Sequence, residues 1–215
     1  MKHTTSEDKM VQVQDVTIDF DYTSLRYPPV VRELVHTRAS QDTSFSAHEG
    51  HDGKVELRDG QTVLSRIDTG LKDEIVGMSF NKDGTILAIC SVRQLALFAT
   101  DPSTGEASLM GKYRPYTLKD DLLGRILGLE DSIPRLMNGV VTSPDGTKVA
   151  IGIQNSWDFI TSMQPGYGIV RVIDTSSMKQ VSEHLVADSP RGLRFSDDGA
   201  ELYIDVKERG EHRVK

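Results

Sequence analysis

Cysteine is nearly absent from the 215-residue sequence, since Cys90 is the only one. A single cysteine excludes an intrachain disulfide and a cysteine-based zinc site, so we expect a reducing, cytoplasmic environment and no cofactor. Long apolar runs are absent too, and none approaches the roughly 20 residues that span a bilayer. The first ten residues are polar and lack the apolar core of a secretory signal. We therefore expect no membrane span.

An excess of basic residues is also lacking, because 25 Lys and Arg stand against 32 Asp and Glu, giving a net charge of -7. Without a basic stripe to replace counterions along a phosphate backbone, nucleic acid is not an expected partner. Nucleophile motifs of the Gly-x-Ser-x-Gly type are missing, as are the glycine patterns that bind nucleotide phosphates. These absences argue against the common hydrolase and nucleotide-binding classes.

What the chain does contain is an internal repeat. The segment Gly53 to Ile89 aligns without gaps on Gly168 to Ile204, and ten positions are identical. A shorter third copy carries the same spacing at Gly139, Asp145 and Gly146. In each copy apolar residues alternate on both sides of an Asp-Gly pair, which is typical of two antiparallel strands joined by a turn.

Four short strands per unit are typical of a β-propeller blade, so we predict an all-β propeller of about three and a half blades. The predicted blades occupy 10–206, between a disordered tail at 1–9 and a charged tail at 207–215. Complete units are expected at 75–111 and 139–185. The partial units are an outer half at 54–67, with inner strands at 11–20 and 30–37, and an inner half at 192–206.

Three stretches resemble a known family of propellers. They are Ser143-Pro-Asp-Gly-Thr-Lys-Val-Ala-Ile151, Gly168-Ile-Val-Arg-Val-Ile-Asp-Thr175 and Ser189-Pro-Arg-Gly-Leu-Arg-Phe-Ser-Asp-Asp-Gly199. The resemblance is to YVTN-type and WD-repeat-like propellers, and it covers roughly 53–206. No Gly-His pair opens a blade and Trp157 is not placed as a Trp-Asp blade end, so the resemblance favours the YVTN or lactonase-like class. It implies a fold more than a function.

A closed propeller typically has about four to eight blades, so the predicted number is short for a ring. Three explanations are open: a fragment of a longer protein, completion of the last blade by the N-terminal strand, or completion by another chain. We favour a fragment, because an unclosed propeller exposes sheet edges.

Two apolar excursions interrupt the blades. Leu118, Leu122, Ile126 and Leu129 have helical spacing and predict a short amphipathic helix within an insertion at about 113–137. The second excursion, 155–167, contains Trp157, Phe159, Met163 and Tyr167. Aromatic residues and Met concentrate at the centres of interfaces, so these four, with Leu122 and Ile126 of the helix, are the candidate partner-binding residues. The alternative is that both excursions pack against their own blades.

Two histidine-containing stretches contain residue types that occur in metal sites or catalytic triads. His48, His51 and Asp52 have the composition of a weak metal site, but their spacing and their Ser, Thr and Gly neighbours favour a solvated loop. His184 with Asp188 and Ser189 has the inventory of a triad, but their position between strands favours an exposed loop. We assign neither stretch a catalytic role.

The leading hypothesis is an interaction module that presents rim loops to a protein partner. A lactonase-like or other small-molecule hydrolase that uses the propeller channel is the alternative. A truncated propeller without independent activity is the third possibility.

Overall fold

The computed structural model describes residues 36–39, 44–50, 54–115, 136–154, 168–186, 190–206 and 210–214. The described residues form β-strands joined by turns, which confirms the predicted all-β fold. The strands are β1 (His36–Arg38), β2 (Phe45–Glu49), β3 (Val55–Asp59), β4 (Thr62–Ile67), β5 (Ile75–Phe80), β6 (Ile86–Ser91), β7 (Leu95–Thr100), β8 (Ala107–Tyr113), β9 (Leu136–Thr142), β10 (Lys148–Gln154), β11 (Gly168–Asp174), β12 (Lys179–Val186), β13 (Pro190–Phe195), β14 (Leu202–Val206) and β15 (Gly210–Val214).

These strands make four antiparallel sheets that follow one another along the chain. The first sheet is β1-β2-β3-β4, the second β5-β6-β7-β8, the third β9-β10-β11-β12 and the last β13-β14-β15. In every sheet each strand pairs with the next one in sequence, as short turns between alternating strands require. The second and third sheets confirm the two predicted complete units.

The first and last sheets differ from the predicted partial units. The inner strands of the first sheet are β1 and β2, so His48 lies in a strand and not in the expected solvated loop, and the predicted strand at 30–37 overlaps only the first two residues of β1. The predicted strand at 11–20 lies outside the described residues. In the last sheet, the expected charged tail at 207–215 contains β15, which pairs with β14 along its whole length. Alternation in five residues as polar as Gly210–Val214 is a weak signal, which is why this strand was missed.

The inserted helix is not seen. Its predicted residues, Leu118 to Leu129, lie outside the described ranges, and within those ranges no helix occurs. The predicted insertion at about 113–137 is also too long at both ends, because β8 continues to Tyr113 and β9 begins at Leu136. Nor does any described part of the chain form a helix that is long and apolar enough to cross a membrane.

The sequence repeat corresponds to equivalent strands. Val55–Asp59 and Gly168–Asp174 are both third strands of their sheets, and Ile75–Phe80 and Pro190–Phe195 are both first strands of the sheets that follow. The repeat therefore runs from the outer half of one sheet into the inner half of the next. The innermost strands β1, β5, β9 and β13 contact one another in that order.

Three hydrophobic clusters hold consecutive sheets together, one at each interface. Their members include Phe45, Leu57 and Phe80 between the first and second sheets, Leu97, Met137 and Ile151 between the second and third, and Val172, Leu202 and Ile204 between the third and last. Adjacent residues of β7 face different clusters, with Leu97 in the second and Phe98 in the first. A fully buried Leu or Ile contributes about 1.5–3 kcal/mol, so these interfaces account for the stacking of the sheets.

The outward faces of the first and last sheets are polar instead. On β3 the residues between core positions are Glu56 and Arg58, and the Arg58 Nε donates to Glu56 Oε2 at 3.0 Å. The Arg58 hydrogen bond lowers the pKa of the Glu56 carboxyl, so the pair stays ionised. On the last sheet the Arg194 guanidinium lies 4.2 Å from the centre of the Tyr203 ring.

The three Asp-Gly pairs of the repeat, at 83–84, 145–146 and 198–199, lie in the turn between the first and second strands of a sheet. In the third sheet Gly146 N donates to Ser143 O at 2.9 Å, which places Asp145 and Gly146 at the last two positions of a four-residue turn. Ser143 Oγ donates to Asp145 Oδ1 at 2.6 Å and accepts from Lys148 N at 2.9 Å. Gly146 has φ +74°, and Gly84 and Gly199 have φ +71° and +69° in the equivalent turns.

Each of these turns also lies against the preceding sheet. A Cβ added to Gly84 would lie 3.0 Å from Ala39 Cβ, and one added to Gly146 would lie 3.0 Å from Asn81 Nδ2. At Gly199 the nearest atom would be Pro144 Cδ, at 3.6 Å. Glycine thus serves both the turn and the close approach of consecutive sheets.

Candidate functional site

The outer hairpins of the second and third sheets share one geometry. In the β7–β8 hairpin Gly105 N donates to Asp101 O at 2.7 Å, and in the β11–β12 hairpin Met178 N donates to Asp174 O at 2.9 Å. Both turns therefore close with a five-residue loop whose last residue has positive φ, +73° at Gly105 and 55° at Met178. A positive φ is unfavourable for Met, so packing must hold Met178 there.

Aspartate fixes the start of each hairpin. Asp174 Oδ1 accepts from Ser177 N at 2.8 Å, from Ser177 Oγ at 2.7 Å and from Ser176 Oγ at 2.7 Å. These hydrogen bonds, those of Ser177 first, lower the pKa of the Asp174 carboxyl to about 2. Hydrogen bonds from Ser103 lower the pKa of Asp101 in the same way. Both carboxylates therefore stay charged at neutral pH and continue to accept the hydrogen bonds that hold their turns.

Each of these hairpins covers the outermost strand of the preceding sheet. Ser65 Oγ of β4 donates to Gly105 O at 2.5 Å, although the two residues belong to different sheets. One sheet further on, a Cβ added to Gly111 of β8 would lie 2.8 Å from Met178 Cγ. Tyr113 OH also donates to Gln180 Oε1 at 3.3 Å. The hairpin of one sheet thus closes over the outer strand of the sheet before it.

A β-bulge marks the covered position in every outer strand. The pairing register shifts by one residue in β4, β8 and β12, which leaves Leu64, Met110 and Val181 as the extra residues. Ser65, Gly111 and Ser182 follow them and are therefore equivalent. The first two are covered by a hairpin of the next sheet, so Ser182 marks where a hairpin of the last sheet would lie.

At this third equivalent position the structure has an open cleft of about 270 Å³. It is lined by Lys148, Val172, Val181, Ser182, His184, Phe195, Gly199, Ala200, Glu201 and Leu202. Val181, one of the lining residues, is 57% exposed. The cleft occurs here because the described part of the last sheet has three strands, so no described hairpin reaches β12.

The lining has an apolar floor and a polar rim. Val172, Phe195 and Leu202 provide the floor, while Lys148 and Glu201 give the rim one charge of each sign. Within β12, Ser182 Oγ lies 3.0 Å from His184 Nε2. Small-molecule pockets measure about 300–1,000 Å³ and enclose most of their ligand. A smaller, open cleft with an apolar floor is better suited to one or two side chains of a polypeptide.

Strand β15 borders the same region. It pairs with β14 from Gly210 to Val214, and no described strand pairs with its other edge. An edge strand presents unpaired N–H and C=O groups that can accept a further strand. A backbone edge and an apolar cleft therefore lie on the outer side of the last sheet, and we define the two together as the edge cleft.

The structure places His48 in strand β2, which corrects its assignment to a solvated loop. His48 is half-buried, its Nε2 lies 3.0 Å from Ser46 Oγ, and its neighbours in pairing are His36 and Glu56. The loop assignment was wrong because the two core residues of β2, Phe45 and Ala47, give only one period of the alternation that indicates a strand. In the described ranges no group of three His, Cys, Asp or Glu could hold a metal ion.

His184 is likewise in a strand, β12, and not in an exposed loop. Its sequence neighbours Asp188 and Ser189 lie outside the described residues, so no distances among the three residues are available to test the triad. The structure instead places His184 at the edge cleft, beside Ser182.

The remaining predicted site residues lie outside the described parts of the chain. They are His51 and Asp52 of the weak metal candidate and Leu122, Ile126, Trp157, Phe159, Met163 and Tyr167 of the two apolar excursions. Their partner-binding role stays a prediction.

Sequence reasoning missed the edge cleft, although a signal was present. Asp101-Pro-Ser-Thr-Gly105 and Asp174-Thr-Ser-Ser-Met178 repeat one turn pattern before an outer strand. A comparison of these two turns would have pointed to the equivalent position on β12.

The sheets and their order define a β-propeller-like fold, and comparison with solved structures agrees. The chain is similar to a hydrazine synthase chain from Kuenenia stuttgartiensis, with a TM-score of 0.55 and 17% identity over 84% of this chain and 44% of that one. It also resembles the WD40 domain of Toxoplasma gondii coronin, with a TM-score of 0.49 and 12% identity over 76% of this chain and 37% of that one. The chain thus spans less than half the length of either.

At these identities the first similarity supports the fold alone. No protein-family model matches the chain, and no curated protein matches it either.

Proposed function

We propose that the chain is a β-propeller interaction module of the YVTN type that acts as a scaffold and binds a protein partner. The YVTN assignment is supported by the Ser143-Pro-Asp-Gly146 turn, whose serine and aspartate side chains both hold the turn. The interaction role is supported by the distribution of apolar surface.

One observation carries this proposal: the exposed large apolar side chains lie on outermost strands. Among the described residues they are Val63, Leu109, Met110, Val181 and Leu185, on β4, β8 and β12. Exposed large apolar side chains are candidate contact points for a protein partner. The outer sides of the sheets therefore suit a macromolecular partner.

The aromatic excursion supplies a second proposed contact surface. Trp157 and Phe159 are of the types enriched at the energetic centres of interfaces, where truncation costs about 2 kcal/mol or more. We propose that this rim loop contacts the partner directly.

The test compares the full chain with a variant that carries Trp157→Ala and Phe159→Ala. Immobilised full chain should capture a defined partner, identified by mass spectrometry, and the double variant should lose it with an unchanged thermal transition. A control with Thr161→Ala and Ser162→Ala in the same stretch should retain capture.

Equal capture by the Trp157/Phe159 variant would contradict the rim-loop role. Turnover of esters or lactones by the purified chain would instead favour the small-molecule hydrolase alternative. A chain that captures nothing and turns over nothing would fit the truncated-propeller alternative.

A further inference from the structure

We propose that Met178 is a site of reversible oxidation, and that its conversion to the sulfoxide by a peroxide releases the turn of the β11–β12 hairpin from the outer strand β8. This inference goes beyond the proposed function and does not rest on it. It depends on two features of one residue, which are its backbone conformation and the packing of its side chain.

The first feature is the backbone of Met178. Among the described residues it is the only non-glycine residue with a positive φ, at 55°, and the equivalent position of the β7–β8 hairpin is Gly105. This region is unfavourable for a residue with a side chain, so the conformation persists only where surrounding contacts offset its cost. The turn therefore depends on what the Met178 side chain touches.

The second feature is the packing of that side chain. A Cβ added to Gly111 would lie 2.8 Å from Met178 Cγ, 3.3 Å from Sδ and 3.5 Å from Cε. The whole thioether thus lies along the one position of β8 that has no side chain. Gly111 pairs with Leu97, and Met178 packs at the border of the hydrophobic cluster to which Leu97 belongs. An unbranched apolar side chain fits this contact.

Met178 is also accessible enough to react. It is half-buried and Met110 is 42% exposed, whereas Met78 and Met137 are buried, at 7% and 1% exposed. In the reaction a lone pair of Sδ attacks an oxygen of the peroxide, and an S–O bond forms as the O–O bond breaks. The leaving oxygen takes up the proton of the transferred hydroxyl and departs as water or an alcohol. Sulfur is oxidised by two electrons and the peroxide is reduced.

Oxidation removes the contact that holds the turn. The sulfoxide carries a polar oxygen on Sδ, at a position packed on Gly111 beside an apolar cluster. Burying a polar atom in such a contact is unfavourable, so the oxidised side chain should turn to solvent. The positive φ then loses the packing that offsets it, and the turn Asp174–Met178 should open. Tyr113 OH still donates to Gln180, so the opening is confined to the turn.

The experiment treats the full chain with hydrogen peroxide and follows each methionine by peptide mapping. Met178 and Met110 should be oxidised at rates within about tenfold of each other, while Met78 and Met137 should react at least about a hundredfold more slowly, because oxidation follows exposure. A Met178 that stays reduced after Met110 is fully oxidised would overturn the assignment.

Hydrogen exchange measured by NMR then tests the release. In the oxidised chain the amides of Ser177 and Met178, which donate to Asp174, should exchange at least about tenfold faster than in the reduced chain. Slow exchange should return once methionine sulfoxide reductases, one for each sulfoxide epimer, have removed the sulfoxide. Unchanged exchange in the oxidised chain, or exchange that stays fast after this reduction, would overturn the proposal.

Three variants assign the effect to one sulfur. Met110→Leu is the matched control and should respond to peroxide as the unaltered chain does. Met178→Gly adopts a positive φ without strain and has no sulfur at this position, so peroxide should leave the exchange of its Ser177 amide unchanged. Met178→Gln is similar in length and polar like the sulfoxide, so this amide should exchange fast before any treatment. A peroxide response in Met178→Gly, or slow exchange in Met178→Gln, would contradict the proposal.

Discussion

At the scale of single residues, glycine at positive φ is the most constrained feature of the repeat. Gly146 combines φ +74° with a close approach to Asn81 and Ile86 of the preceding sheet, where an added Cβ would lie 3.0 Å from each. Both the backbone conformation and the packing between sheets therefore require a residue without a Cβ at position 146.

Replacing Gly146 with Ala should lower the free energy of unfolding by about 1–3 kcal/mol, because a non-glycine residue is strained at this φ. Urea denaturation measures the change. Gly139→Ala is the matched control, since Gly139 has no positive φ and a Cβ there would meet nothing within 4 Å. Equal stability of the Gly146 variant would contradict the constraint.

Part of the constraint on Gly146 could be predicted from the sequence. Asp145-Gly146 and its two counterparts indicated a turn between strands, because Asp bonds its own backbone and Gly tolerates positive φ. The approach of Gly146 to Asn81 was not predictable, because it depends on how the second and third sheets stack, and the two residues are 65 apart in the sequence (146 − 81). The role of Ser143 in holding its turn was likewise visible only in the structure.

At the scale of elements, the outer hairpins act as covers for the preceding sheet. Met178 holds a positive φ that Gly105 adopts more readily in the equivalent hairpin, and its side chain lies on Gly111. Met178 therefore carries both the unfavourable backbone conformation and the side-chain contact with Gly111.

A double-mutant cycle on this pair tests the cover. Gly111→Ala should destabilise the chain because the new Cβ would lie 2.8 Å from Met178 Cγ. In a Met178→Gly background the same change should cost less, by about 0.5–2 kcal/mol, since residues in contact couple. Thermal and urea unfolding of the four chains give the coupling, and additive effects would show that Met178 does not cover Gly111.

Elements were predictable where apolar alternation is strong. The second and third sheets were predicted correctly because their strands carry apolar residues on both faces and so give long, clear patterns. Strand β2 was missed because it has only five residues, in which Phe45 and Ala47 alternate with the polar Ser46 and His48 in too short a run to give a clear pattern. The edge cleft was missed because its signal is a turn pattern shared by only two hairpins, Asp101–Gly105 and Asp174–Met178, whose contacts with the preceding sheet are visible only in the structure.

At the scale of the whole molecule, each hydrophobic cluster joins two consecutive sheets. The second and third sheets are apolar on both faces, while Arg58 and Tyr203 lie on polar outward faces of the first and last. Stability is therefore built interface by interface, as in other stacked repeats.

Leu97 tests the central interface. It is fully buried between the second and third sheets, so Leu97→Ala should cost about 2–5 kcal/mol in urea denaturation. Val63→Ala, at a 42% exposed position, should cost less than about 0.5 kcal/mol. A loss below about 1 kcal/mol for the Leu97 variant would show that this interface contributes less than its burial implies.

The order of the sheets has a consequence for biosynthesis. Because each sheet packs on the one made just before it, a nascent chain leaving the ribosome can complete its interfaces one at a time, with no need to wait for a distant segment. Among the four described sheets the last is made last, so the cluster of Val172, Leu202 and Ile204 is the last of the three clusters to form.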